Sequence, residues 1–316
     1  MNTRHARLAV SLSLVLALGA GVASCGNDDG ADVRETGSSD SASGSGSASG
    51  SGSGSGTGIS TDDVKGSGMD NPLVAEAVAQ YTQYVRQQGD LIVTEAKVLT
   101  DAVRAGDLEG AKAAYAPSRQ AWERIEPIAG LVEEIDGKVD ARVDDFEDEA
   151  DPAFTGWHRI EHLLFSAGDV AAAVPFADQL DTDLATLQTE LATLEIPPVV
   201  IATGAAELIE EVSGGKITGE EDRYSHTDLW DFAANVEGSR AAYETLRPAL
   251  AEKDADAAGS IDEAFDAIEA SLETYRDGEG WQLFSALTPE DTTTMKTQLA
   301  DLSEQLSNVA GTIGLS

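Results

Sequence analysis

The sequence predicts an all-α fold, arranged as two tandem, pseudo-duplicated four-helix bundles. Three observations predict it. Apolar residues recur at helical spacing through the chain beyond residue 69. No segment sustains the apolar/polar alternation of a half-buried strand. A stretch of the first half, Ser118–Pro127, is echoed by Ser239–Pro248, and Gly156-Trp157-His158 is echoed at nearly the same offset by Gly280-Trp281-Gln282.

Ahead of the helices the chain reads as an export leader and a tether. Arg4 and Arg7 precede an apolar run, Leu8 to Ala20, too short and too poorly flanked for a stable membrane span. Val22-Ala23-Ser24-Cys25 follows and resembles a bacterial lipobox, with 1–24 as signal peptide. Cys25 is the one cysteine of the chain, so it has no disulfide partner within it, and lipidation gives it a role. Residues 25–68 are dominated by Ser and Gly, a composition that cannot bury a core and spans on the order of 35–40 Å as a flexible coil. The expected product is an exported protein, lipid-anchored at the outer face of the cell membrane or an equivalent envelope surface.

Residues 69–316 form the helical domain. Asn71-Pro72 opens a first helix, and Ala105-Gly106-Asp107 reads as a stop followed by a new N-cap. A second helix is expected from Leu108 to Ile135, closed by Gly137 and followed by an acidic loop to Asp151. The third, from about Pro152 to Ser166, is followed by one at Pro175–Leu194 with a leucine stripe. Pro197-Pro198 starts a fifth, up to about Gly214. A polar loop leads to Ser225–Asp228, which caps a sixth running to Leu250. Asp254 opens a seventh, and Thr288-Pro289-Glu290 an eighth.

Charge narrows the function. With 57 Asp and Glu against 20 Lys and Arg, the formal net charge is −37. Nucleic-acid binding, which needs Lys and Arg for phosphate, is disfavoured. Most of this charge solvates the surface; a few carboxylates are free to serve as ligands. Candidates lie three apart on neighbouring helices: Glu123 and Glu126 on the second, His158 and Glu161 on the third, with Asp136 and Asp140 at the turn between. Residues three or four apart share a helix face, and bundles hold metals with acidic and imidazole side chains on facing helices. The echo separates scaffold from chemistry. Ser, Arg, Trp/Tyr and Pro persist in both copies, which marks them as packing and helix-end residues. Glu126 becomes Arg247, His158 becomes Gln282 and Glu161 becomes Ser285, which points to a site in the first half.

Four stretches carry a family resemblance: Glu123–Ala129, Ile135–Arg142, Gly156–Glu161 and Lys216–Phe232. In that order they resemble the EfeO/EfeM-type iron-uptake components of the imelysin-like (M75) group. The resemblance implies iron, ferrous or ferric, as the bound ion, with zinc, copper and calcium as alternatives. It implies a His-x-x-Glu ligand pair at His158 and Glu161 and a carboxylate cluster at Glu123, Glu126, Asp140 and Glu221, with Asp222 and Tyr224 adjacent. It implies delivery to an EfeU-type permease, alongside an EfeB-type haem peroxidase, with no bond made or broken in the ligand. Longer members carry a cupredoxin-like domain where the Ser/Gly tether stands here, so the short form is expected. The rival reading is enzymatic: His158-x-x-Glu161-His162 also fits an inverted zincin motif, in which two histidines bind zinc and the glutamate activates water. Such a peptidase needs a third ligand, an open coordination position and a substrate cleft.

Overall fold

A computed structural model describes residues 68–315, which belong to one compact unit. The expected leader, Cys25 and the tether up to residue 67 lie outside the described residues.

Helix α1, Pro72–Arg104, starts as its cap chemistry requires: Asn71 accepts from the Leu73 N–H at 3.0 Å and Pro72 occupies the first turn. Val74, Ala77, Tyr81, Val85, Ile92, Ala96, Leu99 and Val103 form its buried stripe. Gly106, with φ +71, turns the chain, and Asp107 caps α2, Leu108–Glu123.

The expected long second helix is broken. After α2 the chain passes through a 3-10 turn, Glu126–Leu131, and a short α3, Glu133–Val139. Pro127 brings no N–H to a helical ladder at the break. Packing fixes the place: a Cβ on Gly238 would overlap the Arg124 carbonyl, and one on Gly204 the Pro127 carbonyl. Two glycines of later helices thus admit this backbone at close range. Gly137 sits inside α3 rather than ending it, and Asp140 follows as the C-cap.

The third helix starts later than expected. Helix α4, Gly156–Glu161, opens at Gly156 with φ +77, where any Cβ would strike the Val139 carbonyl. It runs into a π turn, His162–Ser166. Helix α5, Val170–Thr193, starts before Pro175, because Asp169 caps it by accepting from Ala172 N–H at 3.0 Å. Helices α6 (Pro198–Gly214), α7 (Asp228–Lys253), α8 (Ala255–Glu273) and α9 (Pro289–Ser307) follow close to expectation, with a last short α10, Val309–Ile313. The strand content of the described residues is a two-residue pair, Arg276–Asp277 with Gly280–Trp281.

Helix α1 packs on α2 and α5, and α4 lies on α5; α6 and α8 each pack on α7 and α9. Helix α7 also contacts α1 and α2, so a single apolar core runs through both groups. The all-α expectation holds. The Gly-Trp echo does not share a local structure: Gly156-Trp157 opens a helix, whereas Gly280-Trp281 lies in the hairpin.

Candidate metal centre

Six pieces of chain converge near the break after α2. Helix α2 supplies Tyr115, Arg119 and Glu123; the 3-10 turn supplies Glu126; the end of α3 supplies Asp140. Helix α4 supplies His158 and Glu161. The 215–227 loop and the start of α7 supply Lys216, Glu221, Asp222, Asp231 and Asn235. Glu123, His158, Glu161, Glu221 and Asp222 are all buried. So many buried carboxylates need partners or cations, because an isolated buried charge is too costly.

One side of the cluster holds Glu123, Glu126 and Asp140, each offering an oxygen within 4.8 Å of the others. Lys216 Nζ lies 3.0 Å from Glu123 Oε2 and 2.7 Å from Glu126 Oε2, and Asn235 donates to the same two oxygens at 2.9 and 2.5 Å. Burial and the neighbouring Glu123 push the Glu126 carboxyl well above its usual range, against the pull of Lys216. Burial disfavours the charge on Lys216, but Glu123, Glu126 and Glu221 outweigh it and keep the ammonium protonated.

The other side is built on His158. Its Nε2 is buried and has no hydrogen-bond partner among the described residues, 3.6 Å from both Asp140 Oδ1 and Glu221 Oε1. These three groups also offer ligand atoms within 4.8 Å of one another, as do His158, Glu161 and Asp222. The ring's Nδ1 faces Glu161 Oε2 and the Tyr115 hydroxyl, each at 3.4 Å. Burial and Arg119 disfavour the imidazolium, but Glu161, Glu221 and Asp140 prevail and raise the pKa to about 9. Burial would raise Asp140 and Glu221, yet Arg119, His158 and Lys216 hold both below the usual carboxylate range.

Glu161 is committed on one side. Its Oε1 accepts from Tyr224 N–H at 2.8 Å, Ser225 N–H at 2.7 Å and the Ser225 hydroxyl at 2.9 Å. Only Oε2 is turned to His158. A carboxylate behind an imidazole is a common way to orient a metal-binding histidine.

Arg119 corrects the sequence reading. As a residue shared by both echoes it was expected to be scaffold. It lies instead at the centre of the cluster, paired with Glu123 and Asp140 and 3.3 Å from Asp231. Its counterpart Arg240 is partly exposed and pairs with Glu244, Asp266 and Glu269. The echo preserved a residue type and not its surroundings. Lys216 and Asn235 were also missed. The signal for Lys216 was its position at the head of the Lys216–Phe232 stretch, in a chain so poor in basic residues.

Access is narrow. A cavity of about 10 Å³ is bordered by Arg142, Asp144, Glu220, Arg223 and Tyr224, with His158, Glu161 and Glu221 beneath. That is room for about one water molecule. Arg142 pairs with Glu221 at 3.0 Å, Arg223 pairs with Asp144, and the Tyr224 hydroxyl reaches Glu149 at 3.4 Å. His162 takes no part: among the described residues no three-ligand group includes it, and its ring packs against Tyr224, 4.9 Å between centroids. The second histidine of an inverted zincin pair therefore joins none of the ligand groups among the described residues.

Residues 77–309 match the model of the imelysin family, peptidase M75. The chain is 46% identical over 240 residues to the iron uptake system component EfeO of Escherichia coli O157:H7, covering 76% of this chain and 64% of that protein. The corresponding proteins of E. coli K12 and Shigella flexneri are 45% identical over the same coverage. The chain thus spans 64% of the length of these curated relatives. Their names describe iron uptake, whereas the family's name describes a peptidase.

Proposed function

The chain belongs to the imelysin (M75) family, and from that premise we propose that it captures iron outside the cytoplasm and hands it to a membrane permease. The observation that carries this reading is His158 Nε2: a buried nitrogen with no hydrogen bond among the described residues, 3.6 Å from both Asp140 Oδ1 and Glu221 Oε1. One imidazole with two carboxylates suits a transition-metal cation. His158, Asp140 and Glu221 would bind directly, Glu123 and Glu126 would extend the oxygen donors, and Glu161 would orient His158 with Oε2 free for one further bond. Iron, ferrous or ferric, is the cargo, consistent with the names of the relatives; no bond in it needs to be made or broken.

Delivery follows from the sequence expectations. Lipidation at Cys25 would hold the protein at the envelope surface, and the Ser/Gly tether would let the domain reach its partner at an effective concentration on the order of millimolar. By relation to the Efe system, that partner is an EfeU-type permease, alongside an EfeB-type haem peroxidase. The peptidase reading finds no support in a cavity of water size, or in His162, which joins no ligand group among the described residues. Calorimetric titration of the whole chain with ferrous, ferric, zinc, copper and calcium ions tests the proposal. Saturable iron binding, lost in His158→Ala, is expected. Absence of metal binding, or peptide cleavage abolished by Glu161→Gln, would overturn it.

A further inference from the structure

Arg119 and Lys216 both reach into the carboxylate cluster, and they differ in kind. Arg119 is a planar fork fixed from mid-helix by Glu123, Asp140 and Asp231. Lys216 reaches in from the first residue of the 3-10 turn Lys216–Thr218, on a flexible four-carbon stem. Its ammonium lies 3.0 Å from Glu123, 2.7 Å from Glu126 and 3.8 Å from Glu221. All three are carboxylates that the capture reading assigns to the cargo.

A metal ion binds carboxylate oxygens at about 2.0–2.6 Å. Seated on these oxygens, it would stand within a few ångströms of the ammonium. At that range two positive charges in a dry interior repel far more strongly than in water. The ion and the ammonium therefore exclude each other from this set of oxygens. Lys216 has somewhere to go: Glu211, which is exposed, and Asp136, which is half-buried, already act on its charge from outside the cluster.

We propose that Lys216 is a built-in competitor of the cargo: its ammonium holds Glu123, Glu126 and Glu221 in the cation-free protein and gives them up to a multivalent ion. It thereby sets both the affinity and the charge selectivity of the centre. A monovalent ion offers these oxygens no more charge than the ammonium it must replace. A di- or trivalent ion offers two or three times as much. The proposal rests on the cation-capture reading and adds a residue to it that donates nothing to the metal.

The test uses the whole chain, ferrous ion under argon, and two readouts. Calorimetry compares the natural protein with Lys216→Met. Amine-reactive labelling with mass spectrometry follows Lys216 in the natural protein with and without the ion. Removing the competing charge should tighten ferrous binding roughly tenfold or more. Lys216 should pass from protected to labelled when the ion is added. Equal protection of Lys216 in both states would overturn the proposal. So would equal or weaker binding by a Lys216→Met chain whose helical circular dichroism is intact. Should Lys216→Met fail to fold, the labelling of the natural protein decides alone. If the natural protein takes up no ferrous ion, the capture reading falls first, and that is read before any measurement on Lys216.

Discussion

Ser225 gives both its backbone N–H and its hydroxyl to a single oxygen of Glu161, at 2.7 and 2.9 Å. With the Tyr224 N–H on the same oxygen, α4 is pinned to the loop that carries Glu221 and Asp222. Glu161 is thus a structural tie as well as a neighbour of His158.

That double role separates two substitutions. Glu161→Ala strands the Tyr224 and Ser225 N–H donors and should cost about 2–4 kcal/mol of stability, read as a fall in the midpoint of denaturant unfolding. Glu161→Gln keeps an acceptor for them and should stay folded. Its amide would donate to His158 Nδ1 and favour the tautomer with a proton on Nε2. Iron affinity should then fall about 10–100-fold.

The paired arginines should behave oppositely. Arg119→Met leaves Glu123, Asp140 and Asp231 buried without their shared cation, a loss of about 3–5 kcal/mol. Arg240→Met breaks pairs at the surface and should cost under about 1 kcal/mol. Equal losses in thermal unfolding would restore the view that both residues are scaffold.

Stability of the cation-free protein should decline as pH rises from about 5 to about 9. His158 is raised from 6.5 to about 9, so its contribution is complete below 6.5 and disappears as pH climbs through 9. Asp136 and Asp228, raised by burial and by Asp140 and Asp222 respectively to about 7, add to the same trend between 4 and 7. In each case the folded state holds the proton more tightly than the unfolded chain. Iron should reverse the slope, since ligands bind it deprotonated. Chemical denaturation at several pH values, with and without iron, checks both halves.

Gly204→Ala and Gly238→Ala should each destabilise by about 1–3 kcal/mol, because the added methyl meets the Pro127 or Arg124 carbonyl. An alanine at half-buried Gly259, which has nothing near its missing Cβ, serves as the control and should be neutral or slightly stabilising.

Much of this architecture was legible in the sequence. Asn71, Asp107, Asp254 and Thr288 cap helices where their spacing predicts, because caps are local chemistry. The break after Glu123 was not legible: it depends on Gly204 and Gly238, far along the chain, meeting the backbone at 124–127. The same divide holds at the site. Helical spacing brings out Glu123, Glu126, His158 and Glu161, the turn between their helices brings out Asp140, and the family resemblance adds Glu221. The structure gathers all six within the groups described. Arg119, Lys216 and Asn235 could not be read this way. A cation's role in a buried cluster comes from what surrounds it in space, and Arg119 and Arg240 show one sequence pattern leading to two environments.

The narrow mouth over His158 carries a consequence of its own. A cavity of about 10 Å³ cannot hold a metal ion together with its full shell of water. Arg142, Arg223 and Tyr224 hold it at that size through Glu221, Asp144 and Glu149. Entry with the mouth closed therefore requires the ion to exchange water for protein oxygens one at a time. Magnesium, which sheds water reluctantly, is handicapped at this step whatever its final coordination would be worth. Discrimination against magnesium then begins with dehydration, ahead of any difference in final coordination.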